Sequence, residues 1–418
     1  MTDSFFRRVW RWHFWAGLIA APALVVVAVT GAIYTFRDEI DEINRPALHF
    51  VEPVVVGRTA DELLAAVRAS HPETKPVRLT LPADPRRSAT VQTADGRAVS
   101  LNPYTAGELG DGPAKSPFFT AVLTLHRNLF AGTFGRVVVE LTTSWTVVLL
   151  VSGAVLWWPR RWRQVWGVWL PRVWGPKYRV LRDLHAVPAA YLAPVAATLA
   201  VTGLFFSVVW LWGYNTVTGG QGDFPAVLRS PGVSPAQSDG PVSVDRVVAL
   251  ARDRWPGHTL SVQLPKSDSE ALAVTARTTP ANAVAGMLAV CPHSGEVVAD
   301  VRVERLPPLQ QARLWVFPIH TGAVWGLPTK VLAFVAAVVL AGLAVSGVAM
   351  WLVRRPRGLW GFPRASAAPV PKPAVVTILL LAVLFPTVAL SLLAVLLGEW
   401  VVERLRRRTA RLPSPQCP

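Results

Sequence analysis

Cysteine is almost missing from this chain: among 418 residues only Cys291 and Cys417 occur. Two isolated thiols exclude a disulfide framework, a Cys-ligated iron–sulfur cluster and a Cys-x-x-Cys-His attachment site. Charge is scarce too, at 16% of residues, and acids are scarcer than bases, 26 against 42. No His-Glu-x-x-His zinc motif and no nucleophile–base motif are present, which argues against proteolysis, and no Gly-x-Gly-x-x-Gly follows a strand, so a built-in nicotinamide or flavin domain is not visible. What the chain has instead is apolar residues, 52% of the total. That composition points to an integral membrane protein.

Five stretches, 14–36, 137–158, 184–212, 331–353 and 374–398, are long enough for a hydrocarbon core that needs about 20 apolar residues. The first follows Arg7, Arg8 and Arg11 like a signal peptide, yet its 23 uncharged residues and the lack of a small-x-small site before Arg37 predict a retained helix. The net charge of +16 sits in particular places. Arg160, Arg161, Arg163, Arg172, Lys177, Arg179 and Arg182 lie between the second and third stretches, and Arg354, Arg355, Arg357, Arg364 and Lys372 follow the fourth. Short basic loops on one side set orientation, not nucleic-acid binding, and place the N-terminus and both loops in the cytoplasm. The long segments 37–125 and 213–319 then lie outside, in a periplasm. Five arginines between Arg404 and Arg411 disagree with a fifth crossing. Either that tail meets anionic head groups outside, or the segment kinks at Pro386 and does not cross fully; a crossing is the expectation.

The stretches repeat. His13 precedes Thr30-Gly31 by 17 residues, and His185 precedes Thr202-Gly203 by the same 17. His126 precedes Ser152-Gly153 by 26 residues, as His320 precedes Ser346-Gly347, with Trp157 matching Trp351 and Arg160-Arg161 matching Arg354-Arg355. The pattern reads as a tandem duplication that sorts four histidines into two pairs, His13 with His185 and His126 with His320. Facing histidines at helix ends hold one haem iron from both sides, each imidazole tied through its other nitrogen. The expectation is two haem b groups, held without thioether links, one at each membrane face. The hydroxyl–glycine steps read as close-packing points, with clearance for a porphyrin face as the alternative. Glu140 is an ionisable group inside a span, either functional or snorkelling to the boundary. Arg136 and Lys330 occupy matching positions after His126 and His320 and contact either haem propionates or head groups. Most of the 18 tryptophans read as an interfacial belt, the alternative being a shortened electron path between two centres separated by a core of about 30 Å. His49, His71, His258 and His293 fit ordinary surface positions.

Each outer segment reads as a helix followed by a small antiparallel sheet. In the first, 59–70 is the helix, with strands at 77–81, 89–93 and 99–101; in the second, a helix from Ser243 through Ala251 precedes strands at 259–264, 271–276 and 287–290. Divisions are expected at 1–36, 37–125, 126–158, 159–183, 184–212, 213–319, 320–353, 354–373, 374–400 and 401–418, alternating membrane segments with outer domains and basic loops.

Arg11-Trp12-His13, His71-Pro72-Glu73, Asn102-Pro103-Tyr104-Thr105-Ala106-Gly107-Glu108, Leu125-His126-Arg127, Asp183-Leu184-His185 and Ile319-His320-Thr321-Gly322 carry a resemblance. The chain resembles the PepSY-associated transmembrane helix family over nearly its whole length. Its turn departs from the family's DPYTGE-like form at Asn102 and by the inserted Ala106, and the second turn, Cys291 to Glu296, lacks the tyrosine. The resemblance implies an integral membrane α-helical bundle, four core helices as a tandem repeat plus a fifth C-terminal helix, with two small α+β PepSY-like periplasmic domains. It also implies an inner-membrane reductase of ferric siderophores or related Fe(III) chelates, supplied by a separate electron donor, a quinol or a cytoplasmic reductase. The competing expectation is a non-redox scaffold whose PepSY domains bind peptides or regulate a protease or transporter. No catalytic residue is identified.

Overall fold

A computed structural model describes residues 3–159, 162–220, 223, 225–228, 231–233, 242–356, 359–363, 372–394 and 397. Arg160, Arg161, Arg357, Arg364, the arginines of 404–411 and Cys417 therefore lie outside the described residues. The chain divides into two compact units, one of 1–27, 127–214 and 339–418, the other of 28–126 and 215–338.

Among the described residues four helices are long and apolar enough to cross a membrane: α1 (Asp3–Thr35), α6 (Gly132–Trp157), α7 (Lys177–Leu204) and α11 (Leu327–Arg354). Two begin well before their apolar runs. Arg7, Arg8 and Arg11 belong to α1, and Lys177 to Asp183 form the first turns of α7, because long basic side chains keep their charges at the interface while the backbone stays helical. The expected third span, 184–212, breaks at Phe205 and resumes as α8 (Val209–Thr218). The fifth segment, α12 (Lys372–Leu384), does not continue straight either. At Phe385 the chain bends by 119° into a second helix, Pro386–Ala394, where the proline lacks the N–H that would have continued the ladder. Trp210 Nε1 donates to the Leu384 carbonyl at 2.9 Å and Trp145 Nε1 to Ser391 Oγ at 3.2 Å, while Phe385 and Val388 pack on Val147, Ala200 and Leu204. Protein groups thus satisfy the broken backbone, as irregular chain among apolar helices requires.

In the second unit the two segments expected as separate small domains build one sheet. Strands β1 (Pro76–Leu81), β2 (Ala89–Thr93), β3 (Arg97–Leu101) and β4 (Glu108–Pro113) form one half; β5 (Thr259–Gln263), β6 (Leu272–Arg277), β7 (Val284–Val290) and β8 (Val297–Arg302) form the other. The order β4-β3-β2-β1-β5-β6-β7-β8 is closed by antiparallel pairing of β1 with β5, Leu79 opposite Val262 and Thr80 opposite Ser261. Alternation sends Leu79, Leu81, Leu260, Val262 and Val274 to one face, where α4 (Ala60–Ser70) and α9 (Val244–Arg254) cover them with Leu63, Leu64, Val67, Val247 and Ala251. A smaller cluster of Ala273, Met287, Ala289 and Leu314 fills part of the opposite face. Strand β4 has one large hydrophobic residue, so periodicity did not mark it; it carries Gly110, Gly112 and Pro113 and ends the sheet.

The helices α4 and α9 start by capping each other. Asp61 accepts from the Ser243 hydroxyl at 2.6 Å and from the backbone N–H of Val244 and Asp245, both at 3.3 Å, and Asp245 accepts from the N–H of Asp61 at 3.1 Å. Two positive helix ends are thereby held together by two carboxylates.

Candidate cofactor site: two histidine pairs

The structure brings the four histidines together in the expected pairs. His13, on α1, meets His185, on α7, with ring centroids 6.3 Å apart and planes at 85°. His126, near the end of α5 (Pro117–Asn128), meets His320, the last residue of α10 (Pro308–His320), also at 6.3 Å and with planes at 51°. Neither short helix was legible in the sequence, where both histidines looked like leaders of the following span. Each is turned back sharply. After α5, Leu129 and Phe130 take positive φ of 52° and 56° and Asn128 Oδ1 accepts from the Phe130 N–H at 3.0 Å. After α10, Gly322 has φ 71° and packs so tightly on Ala333 and the Thr329 carbonyl that a Cβ would stand 2.8 Å from each.

The separation is informative. An iron–imidazole bond is about 2.0 Å, and each nitrogen of a five-membered ring with sides of about 1.35 Å lies about 1.15 Å from its centre. Two imidazoles on opposite sides of one iron therefore have centroids about 6.3 Å apart. An end-to-end N–H···N hydrogen bond of about 2.9 Å would bring them to about 5.2 Å. Both pairs match the first distance.

The second nitrogen of each of three rings meets a hydroxyl. His13 Nδ1 lies 2.9 Å from Ser152 Oγ, His185 Nδ1 3.0 Å from Ser346 Oγ, and His126 Nδ1 3.3 Å from Thr30 Oγ1. Ser152 gives its own proton to the Val148 carbonyl at 2.8 Å, and Ser346 its proton to Leu343 at 3.2 Å. A serine that spends its proton on that carbonyl accepts from Nδ1–H, and the imidazole is then in the tautomer whose Nε2 lone pair is available to a metal. Next to each hydroxyl is a glycine against the same ring: a Cβ on Gly153 would stand 3.3 Å from His13 Cε1, on Gly31 3.1 Å from His126 Cε1, and on Gly347 3.6 Å from His185 Cε1. The steps read as helix-packing points are where the imidazoles rest. The signal was the repeated offset; the partner of each step was not in it.

The accessory candidates have other partners. Glu140, 1% exposed, accepts from the N–H of Val208 and Val209 at 2.9 Å and Trp210 at 2.8 Å, so it caps the first turn of α8. Arg136 donates to the Phe206 carbonyl at 3.2 Å in the same break. Lys330 is paired with Glu39 at 2.7 Å. The sequence named Asp183 within Asp183-Leu184-His185 but gave it no role; its side chain, fully buried two positions before His185, receives Arg172 Nε at 2.5 Å and Arg182 at 3.0 Å. Through Arg172 it fastens the Trp-rich loop to the first turns of α7. Around His13, Phe14 and Trp15 continue into Trp351 and Phe362, with Trp15 and Phe362 at 4.8 Å and Trp351 stacked on Phe362 at 11°, while Trp12, Trp158 and Trp174 are exposed as belt residues are.

His49, His71, His258 and His293 each contact a carboxylate or carbonyl, at Asp41, Glu108, Pro256 and Asp268. Among the described residues no three His, Cys, Asp or Glu side chains gather to hold a bare metal ion. An iron already held by a porphyrin asks only two from the protein, and the paired histidines fit that requirement.

Four apolar helices, an eight-stranded α+β unit and paired histidines at helix ends define a polytopic membrane protein. The chain belongs to the PepSY-associated TM region family, whose model matches residues 10–354. No curated protein matches it.

Proposed function

We propose that the protein is an inner-membrane electron-transfer protein that holds two haem b groups and reduces a ferric siderophore or other Fe(III) chelate to release Fe(II). The observation that carries this reading is the pair geometry, 6.3 Å twice, with hydroxyls against Nδ1 of His13, His185 and His126. His13 and His185 would hold one group, His126 and His320 the other; bound haem supplies one-electron chemistry. The chain's own part is to orient the imidazoles and keep them neutral: Ser152 and Ser346 hold the Nδ1 protons, and Asp183 steadies the turn that carries His185. Each ferric ion takes one electron, and the ferrous product is bound more weakly by hydroxamate or catecholate oxygens. The reductant is a separate quinol or cytoplasmic reductase.

The finer architecture belongs to the same proposal. The matching offsets and the palindromic strand order support a tandem duplication. Positive-inside orientation supports basic loops in the cytoplasm and the sheet in the periplasm.

The test is optical. Protein purified from haem-replete cells is expected to show a Soret band and a reduced-minus-oxidised difference; absence of both would end the haem reading. The double variants His13→Ala/His185→Ala and His126→Ala/His320→Ala should each lose about half the haem. Reduced protein mixed with a ferric siderophore and a colourless Fe(II) chelator should reoxidise as Fe(II) is captured; no reoxidation would point to another acceptor.

A further inference from the structure

The two histidine pairs share a separation and differ in ring orientation. His13 and His185 stand nearly perpendicular, at 85°; His126 and His320 stand at 51°. Three of these rings rest on a two-residue step of another helix that fixes the ring in two ways. The hydroxyl engages Nδ1, which sets rotation about the ring's long axis, and the adjacent glycine leaves the ring edge the space a methyl group would take. The contacts differ in tightness. Ser152 and Ser346 hold their rings at 2.9 and 3.0 Å, whereas Thr30 meets His126 at 3.3 Å.

We propose that Thr30-Gly31, Ser152-Gly153 and Ser346-Gly347 are histidine seats, positioning residues that set the ring planes and thereby make the two centres electronically inequivalent. This rests on the haem reading above. Axial imidazole planes direct their π interaction at the iron d orbitals: perpendicular planes treat the two orbitals of π symmetry alike and leave them nearly degenerate, while planes nearer parallel split them. The perpendicular His13/His185 pair belongs to the first case, and the His126/His320 pair is shifted toward the second. Outer-shell hydrogen bonds and ligand orientation are among the levers by which a protein tunes a haem.

The readout is low-temperature electron paramagnetic resonance of the oxidised, full-length, haem-loaded protein. Two low-spin ferric signals of equal intensity are expected, one strongly anisotropic with a large leading g value, the other rhombic. Ser152→Ala should shift the anisotropic signal and leave the rhombic one in place, Ser152→Thr should restore it, and Thr30→Val should do the reverse. Gly153→Ala, which pushes a methyl group against the His13 ring, should shift the same signal as Ser152→Ala without removing a hydrogen bond. A single signal accounting for all the haem, or Ser152→Ala and Gly153→Ala spectra identical to wild type at full haem content, would overturn the seats. The wild-type spectrum decides inequivalence even if a variant fails to accumulate. Loss of the haem bands in the wild-type protein is a different result and removes the underlying reading.

Discussion

A polar side chain among apolar helices persists only where its hydrogen bonds are met, and Glu140 shows how. Three backbone N–H groups converge on it, so the side chain and an otherwise unsatisfied helix start satisfy each other. Glu140→Ala leaves those donors orphaned and should destabilise by about 3–5 kcal/mol, whereas Glu140→Gln keeps one acceptor and should cost about 1–2 kcal/mol. Thermal unfolding of both variants in detergent checks the order; equal midpoints for Ala and wild type would remove the capping role. Gly135 is as strict for a steric reason. A Cβ there would sit 1.7 Å from the Asn128 carbonyl oxygen, inside any possible contact. Gly135→Ala must therefore open the α5–α6 corner, at a cost of more than about 4 kcal/mol, visible as new protease cleavage around 128–132. The ionisable group in the span was noticeable in the sequence; that it serves a helix terminus 68 residues away was not.

At the scale of elements, ends and bends matter more than lengths. The capping box of α4, Thr59 with Glu62, was readable from composition, but the exchange of caps between α4 and α9 joins residues 184 apart. Burial raises the Asp61 pKa, but hydrogen bonds from Ser243, Asp245 and Val244 outweigh that and hold it below the ordinary carboxylate range. A carboxylate depressed on folding stabilises above its unfolded pKa of about 3.9 and loses that contribution as pH falls through the lower folded value. Asp61→Asn should cost about 1 kcal/mol at neutral pH, and the difference from wild type should shrink below about pH 4. Denaturation followed across that range checks it, a constant difference being the contrary outcome. The bend of 119° at Phe385-Pro386 is anchored by Trp210 Nε1 on the Leu384 carbonyl and by Thr387 on Ser144.

For the whole molecule, the joined sheet has the largest consequence. β1 and β5 are central strands, and the hydrophobic layer beneath α4 and α9 runs under both halves without a gap. Hydrogen exchange of the full-length protein should show amides of Leu79 and Val262 as protected as those of β2 and β6. Early exchange at the seam would mean two separately opening domains. The segment 37–125 expressed alone should aggregate, since it exposes the β1 edge and half of a shared core.

The sequence by itself determined the membrane class, the apolar spans, most strands and the pairing of four histidines, because composition, periodicity and repeated spacing are local or arithmetic properties of a chain. It placed the hydroxyl–glycine steps at matching offsets but could not say what rests on them. The tertiary structure alone decided that Ser152 meets His13 across 139 residues, that Glu140 caps α8, that Asp183 gathers two arginines, and that the segments 37–125 and 213–319 share one sheet. Each of those depends on which faces of distant elements come into contact, and a hydrogen bond of about 3 Å selects one partner among many residues of the same type.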